Sequence, residues 1–146
     1  MLTSLEAAHF LRHLYSPLAL RRCRVARLIC RAQRGTLVDE QLHAEDIALI
    51  QDAAAACLEA VENESRTLRG ATQRNRQSTI LLRYEVKGEP REIVAADLGI
   101  SRRQFYRERE RALGVCAALL SDRIQAECSR ANLRLDSRLA AVDRHL

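Results

Sequence analysis

The densest grouping of side chains suited to binding is Ser101-Arg102-Arg103-Gln104, followed by Tyr106 and Arg107. A guanidinium is a planar fork of donors that matches phosphate oxygens or the edge of guanine, and a carboxamide matches the edge of adenine. With Phe105 turned inward on a helix, steps of about 100° per residue send Arg103, Tyr106, Arg107 and Glu110 outward. Arg102 and Gln104 fall on the flanks, Ala112 faces inward, and Glu108 does so marginally. Arg103 and Gln104 are therefore the candidates for base edges. Arg102, Arg107 and the Tyr106 hydroxyl suit phosphate, with Ser101 at the head of the helix. Arg74, Arg76 and Arg83 would extend a phosphate footprint upstream.

Other chemistries find little support. His9, His13, His43 and His145 are scattered, and the His9/His13 pair lacks the glutamate of an H-E-x-x-H site. No serine or cysteine nucleophile lies beside a base, and no Gly-rich phosphate loop precedes a helix. Cys23, Cys30, Cys57, Cys116 and Cys128 form no C-x-x-C pair and read as small buried hydrophobes. The sequence thus predicts no enzyme, cofactor or metal.

The binding residues need a platform, and the stretch PREIVAADLGISRRQFYRERERA, residues 90–112, supplies one. A helix beginning at Pro90 turns Ile93, Val94 and Leu98 toward a core, while Ala95 allows close approach of a second helix. Gly99 sits where the chain must turn with positive φ. Ser101 caps the next helix, Gln104 at its third position completes a capping box, and Ile100 with Phe105 has staple spacing. Two helices joined by Gly99-Ile100-Ser101 make a helix-turn-helix.

That pattern, E-I-V-A-A-D-L-G-I-S-R-R-Q-F-Y-R, resembles region four of bacterial sigma factors and the related LuxR-type output domains. The resemblance covers about residues 75–120, with Ile80 to Tyr84 as the supporting helix. Glu108 departs from many helix-turn-helix families, which place an apolar residue there, and favours the sigma-like branch. F-L-R-H-L-Y-S-P-L-A-L-R-R near the start also looks like the leading segment of some bacterial regulators. The resemblance implies double-stranded DNA as partner, with the second helix in the major groove.

The surroundings agree with an all-α chain. Of 146 residues, 47% are apolar and 29% charged, glycine and proline are few, and no apolar run is long enough to span a bilayer. The start carries no secretory signal pattern, so the expected location is cytoplasmic. Ser4 reads as the cap of a first helix, with Leu5, Ala8, Leu11 and Leu14 on one face until Ser16-Pro17. A second helix is predicted from Leu18 to Gln33, with Leu20, Val25, Leu28 and Ile29 apolar, a basic stripe of Arg24, Arg27, Arg31 and Arg34, and Gly35 as its C-cap. A third, His43 to Leu68, carries Ile47, Ile50, Ala54, Cys57, Leu58 and Val61 on one side. Gly70 to Ser78, polar throughout, reads as a hinge. The domains expected are 1–70, 71–120 and an arm, 121–146.

Charge is blocked along the chain. Residues 1–37 carry seven arginines against Glu6, residues 38–65 carry eight carboxylates and no base, and residues 66–111 carry twelve bases against six acids. The acidic helix either docks against the first basic block or leaves a basic surface for phosphates.

In the arm, Leu113, Ala117, Leu120, Ile124, Cys128, Ala131, Leu135, Leu139, Val142 and Leu146 recur at three or four, nearly a heptad seam, while Cys116 and Leu119 face the domain core. The seam sits about 80° from the Phe105 face. It predicts a homodimer, or else a chain that breaks at Gly114 or Ser121-Asp122 and folds back on residues 18–68. The leading expectation is a small bacterial or phage-type transcription regulator, without the promoter-melting segment of a full sigma factor. The alternative is a protein-interaction module contacting RNA polymerase, a sigma factor or another regulator; a packaging or segregation adaptor assembling beyond a dimer is a third.

Overall fold

The computed structural model describes residues 1–34, 44–68 and 71–143. They are all-helical, with no strand among them. The helices are α1 (Ser4–Arg12), α2 (Pro17–Arg22), α3 (Arg24–Arg34), α4 (Ala44–Leu68), α5 (Ala71–Ile80), α6 (Arg91–Leu98) and α7 (Arg102–Asp143). A π-helical segment, Leu81–Val86, continues directly from α5. Among the described residues, no helix is long and apolar enough to cross a membrane.

Helix α1 starts one residue earlier than expected, because Thr3 rather than Ser4 is its cap. The Thr3 hydroxyl accepts from the Glu6 amide at 3.2 Å, and the Glu6 carboxylate accepts from the Thr3 amide at 3.3 Å, a full capping box. Ala8, Leu11 and Leu14 are buried as the periodicity predicts, but Phe10 joins them and Leu5 points outward, 79% exposed.

The single helix expected from Leu18 to Gln33 is two. Cys23 takes an extended conformation (φ −76°, ψ 121°) between α2 and α3, which lets Leu20 and the Val25, Ala26, Ile29 and Cys30 face reach one core. One straight helix would carry Leu20 and that face around different sides. Gly35 and His43 lie outside the described residues. Of the segment expected to be a hinge, Ala71 to Ser78 is helical, part of α5 and packed against α4 and α7, and Gly70 lies outside the described residues. Packing against two neighbours and the Gln77 bond to Glu108 hold it as helix where the sequence shows no apolar stripe.

Two cores organise the fold. The larger gathers Phe10, Leu11, Leu20, Val25, Ile50, Cys57, Val61 and Leu81 with Leu113, Cys116, Ala117 and Leu120 of α7. It draws on residues before 70 and after 110 alike. The smaller consists of Ile80, Val94, Ala95 and Phe105, with Tyr84, Leu98 and Ile100 packed against it. The π-helical geometry lies at the junction: Ile80 enters the small core and its neighbour Leu81 the large one. Ile93, expected inside, is half exposed, because Val94 and Ala95 hold the inward face of α6.

Helix α7 runs 42 residues without interruption, a rise of about 60 Å. Neither Gly114 nor Ser121 breaks it. The Ser121 hydroxyl donates to the Ala117 carbonyl at 2.8 Å and accepts from the Leu2 amide at 2.9 Å, so the chain's start is fastened to the helix's middle. The first seam positions, Leu113, Ala117 and Leu120, are covered by the chain's own helices, and Ile124 packs against the same core. Further along, Cys128 is exposed.

Candidate nucleic-acid interface

The candidate interface is assembled from the turn between α6 and α7. Gly99 adopts φ 66°, ψ 34°, the left-handed conformation that glycine reaches at least cost. The Ile100 amide donates to the Ala95 carbonyl and the Gly99 amide to the Ala96 carbonyl, both at 3.1 Å. This pair closes the end of α6 as a Schellman motif, with Ile100 folded back onto the small core. Ser101 then opens α7: its hydroxyl accepts from the Gln104 amide at 3.2 Å. Helix α6 itself begins at Arg91, with Pro90 in the capping position one residue before it.

Beneath the first turns of α7, Phe105 is fully buried and meets the Tyr84 ring edge-on at 5.2 Å between centroids. That anchor fixes the helix's rotation, and the rotation decides what faces out. Ser101, Arg102, Arg103, Tyr106 and Arg107 are exposed, and Gln104 is half-buried. Six of the nine expected site residues thus share one short stretch of helix.

Tyr106 is the centre of a cationic cluster. Its hydroxyl accepts from an Arg91 terminal nitrogen at 2.6 Å, and the Arg91 and Arg102 guanidinium carbons stand 5.4 Å and 5.9 Å from its ring centroid. The hydrogen bond from Arg91 holds the phenol below its ordinary pKa. Arg91 also pairs with Glu92 at 2.6 Å. The forks the surface presents to an anionic partner are those of the exposed Arg102, Arg103 and Arg107 on α7, with Arg91 of α6 holding Tyr106 in place.

No known family model, curated protein or solved structure matches this chain. The site rests on its own geometry.

The upstream arginines divide. Arg83 gives its Nε and a terminal nitrogen to the two oxygens of Glu89, each at 3.0 Å, and donates to Asp97 at 2.7 Å. Those carboxylates raise the Arg83 pKa further. Its forks are engaged in fastening the Lys87–Pro90 loop to α6, which leaves little of it for phosphate. Arg76 is half-buried on α5. Arg74 lies on the same helix, with its side chain outside the described residues.

Sequence reasoning missed Arg91 and the polar groups underneath. Glu85 is sealed from solvent between two bases: Arg12 of α1 donates its Nε at 2.8 Å, and Arg109 of α7 donates its own to the other oxygen. Both guanidinium groups also stand over the Tyr84 ring, at 5.7 Å and 5.6 Å from its centroid. Glu108, nearly as buried, accepts from Gln77 Nε2 at 2.8 Å. One signal was available for Glu85, the lone carboxylate in the largely apolar stretch Ile80 to Val86, since a buried charge requires partners. No spacing rule points to Arg91, which meets Tyr106 only because the turn brings two helix starts together.

Four of the five cysteines are buried. Cys116 points its thiol at the Cys57 carbonyl at 3.8 Å, and contact with Cys57 together with burial pushes that thiol's pKa up. The His9 and His13 rings meet edge-on, 4.4 Å between centroids. Among the described residues, no three His, Cys, Asp or Glu side chains come together as a metal site.

Proposed function

We propose that this protein is a sequence-reading, double-stranded DNA-binding protein of the transcription-regulator kind, laying the start of α7 in the major groove. The observation that carries the reading is the Gly99–Ser101 turn over a buried Phe105, which leaves Arg102, Arg103, Tyr106 and Arg107 exposed together with half-buried Gln104 beside them. In this reading Arg103 and Gln104 touch base edges, and Arg102, Arg107 and Tyr106 touch phosphates. Arg83 leaves the phosphate set, its donors held by Glu89 and Asp97, and Arg91, held by Tyr106 and Glu92, steadies Tyr106 from the neighbouring helix. The residue pattern adds the likeness to sigma factor region four, and with it a bacterial, cytoplasmic setting. No catalysis and no cofactor is assigned.

A two-fold arrangement belongs to the same proposal. Helix α7 continues as helix beyond the large core, Gln125, Ala126, Cys128, Ser129 and Arg130 are exposed, and the apolar seam runs on in the sequence through Ala131 to Val142. Pairing of two copies along that stretch would set two reading heads on one duplex.

The test is fluorescence anisotropy with duplexes selected from a random pool, read against a scrambled duplex across a salt series. Affinity for the selected duplex should exceed the scrambled one and fall steeply with salt, because each neutralised phosphate releases condensed counterions. Failure to bind any duplex at low salt would overturn the reading. It would hand the same surface, with the half-exposed Ile93 on α6, to a protein partner such as RNA polymerase or a sigma factor.

A further inference from the structure

An open cavity of about 420 Å³, closer to a surface depression than to an enclosed pocket, lies where α1 meets the π-helical segment, and among the described residues none of α7 lines it. Its lining includes Arg12 of α1, Tyr84 and Glu85 of the π-helical segment, and the following loop, Lys87, Gly88 and Glu89. π-Helical turns are rare and frequently mark functional sites.

The charges around it are arranged in a particular way. Glu85 is held by Arg12 and Arg109, and Glu89 by both donors of Arg83, so the two carboxylates of the lining are already neutralised. The two cations are not consumed to the same degree. Arg12 gives Glu85 its Nε, while 49% of its side chain remains exposed, and Lys87 is exposed as well. Lys87 is also the only lysine in a chain with 24 basic residues, a compact point charge where every other base is a fork. Gly88, at φ +70°, brings backbone to the wall with no side chain in the way, and open space lies where its Cβ would stand.

We infer that this cavity is a binding site for a small anionic ligand, one bearing a phosphate or carboxylate group that pairs with Arg12 and Lys87. The Tyr84 ring, beneath Arg12 and Arg109, lines one wall. The ligand competes with Glu85 for Arg12, and Glu85 is shared with Arg109 on α7. Occupancy is therefore felt on the helix that begins at Ser101. The site does not depend on the DNA reading: its ligand contacts and the exposed face of α7 share no residue.

The single lysine makes the test specific. Reductive methylation with ¹³C-formaldehyde converts Lys87 to a charged dimethyl-lysine with its own NMR signal, the amino-terminal group serving as an internal reference. Inorganic phosphate, malonate and chloride are titrated at one ionic strength. The expected result is a saturating shift of the Lys87 signal with phosphate, malonate or both, and none with chloride; the responding anion identifies the ligand's charged group. Arg12→Ala should weaken that response about tenfold, the effect of one charge-assisted hydrogen bond. Glu85→Gln, by removing the competitor, should strengthen it. A Lys87 shift that stays linear, or is equal in all three salts, overturns the proposal. So does a saturating response that Arg12→Ala leaves unchanged. If either variant fails to fold, the unmodified sequence in the three salts still decides.

Discussion

Phe105 and Leu120 lie on one helix, both are wholly shielded from water, and yet they belong to different cores. Leu120 sits among contributions from α1, α2, α3 and α4, so its surroundings are determined from many directions. Phe105 has three buried companions, Ile80, Val94 and Ala95, with Tyr84, Leu98 and Ile100 at the edge. A core that small fixes little by area alone. Its geometry comes from short-range devices: a left-handed glycine, a Schellman closure, a serine cap and one edge-on aromatic pair. The large core thus supplies the cohesion, and the small one sets the aim of the exposed arginines.

Separating the two cores by mutation should give the largest effects. Phe105→Ala should cost about 3–5 kcal/mol locally and abolish DNA binding while most helical circular dichroism survives. Leu120→Ala should cost about 2–5 kcal/mol, lower the melting temperature, and leave duplex affinity unchanged at low temperature. If Leu120→Ala removed binding while the protein stayed folded, the two cores would be one functional unit.

Arg103→Ala comes next. It should narrow the gap between selected and scrambled duplexes by about 1–3 kcal/mol, with the melting temperature unaltered because the side chain is exposed. Equal weakening on both duplexes would reassign Arg103 to phosphate.

Gly99→Ala probes the turn itself. Nothing lies within 4 Å of a Cβ built at Gly99, so the cost is conformational, about 1–2 kcal/mol for placing alanine at φ +66°. Chemical denaturation of this variant that matched the parent would contradict the left-handed turn. The smallest effect is expected at the caps. Ser101→Ala and Thr3→Ala should each cost about 1 kcal/mol, but only the first should also lower duplex affinity.

What the sequence made legible follows the same division. Gly99, Ser101 and Phe105 were readable because turn, cap and inward position are decided within a few residues of each other. The outward set from Arg102 to Arg107 followed from that register. The break at Cys23 was not readable, since the chain there has good helix formers and bends only to bring Leu20 and Val25 into a shared core. Helix α5 was hidden for the opposite reason: Gln77 and its polar neighbours show no apolar stripe, and Gln77 finds its buried partner, Glu108, 31 residues away. The covering of Leu113, Ala117 and Leu120 likewise depends on helices distant in sequence, so their periodicity reported a buried face without naming what buries it.

The unbroken course of α7 has a mechanical meaning. A helix without a joint behaves as a shaft: a residue added or removed within it turns everything beyond by about 100° and shifts it by about 1.5 Å. The exposed basic face from Arg102, the large-core face from Leu113 and the distal stretch past Ile124 are therefore locked in phase by residue count alone. One residue inserted after Gln125 would leave both cores and the basic face undisturbed and rotate only the distal end. Deletion of Gly114, by contrast, would put the head out of register with the body, although its exposed position shows no side chain to lose.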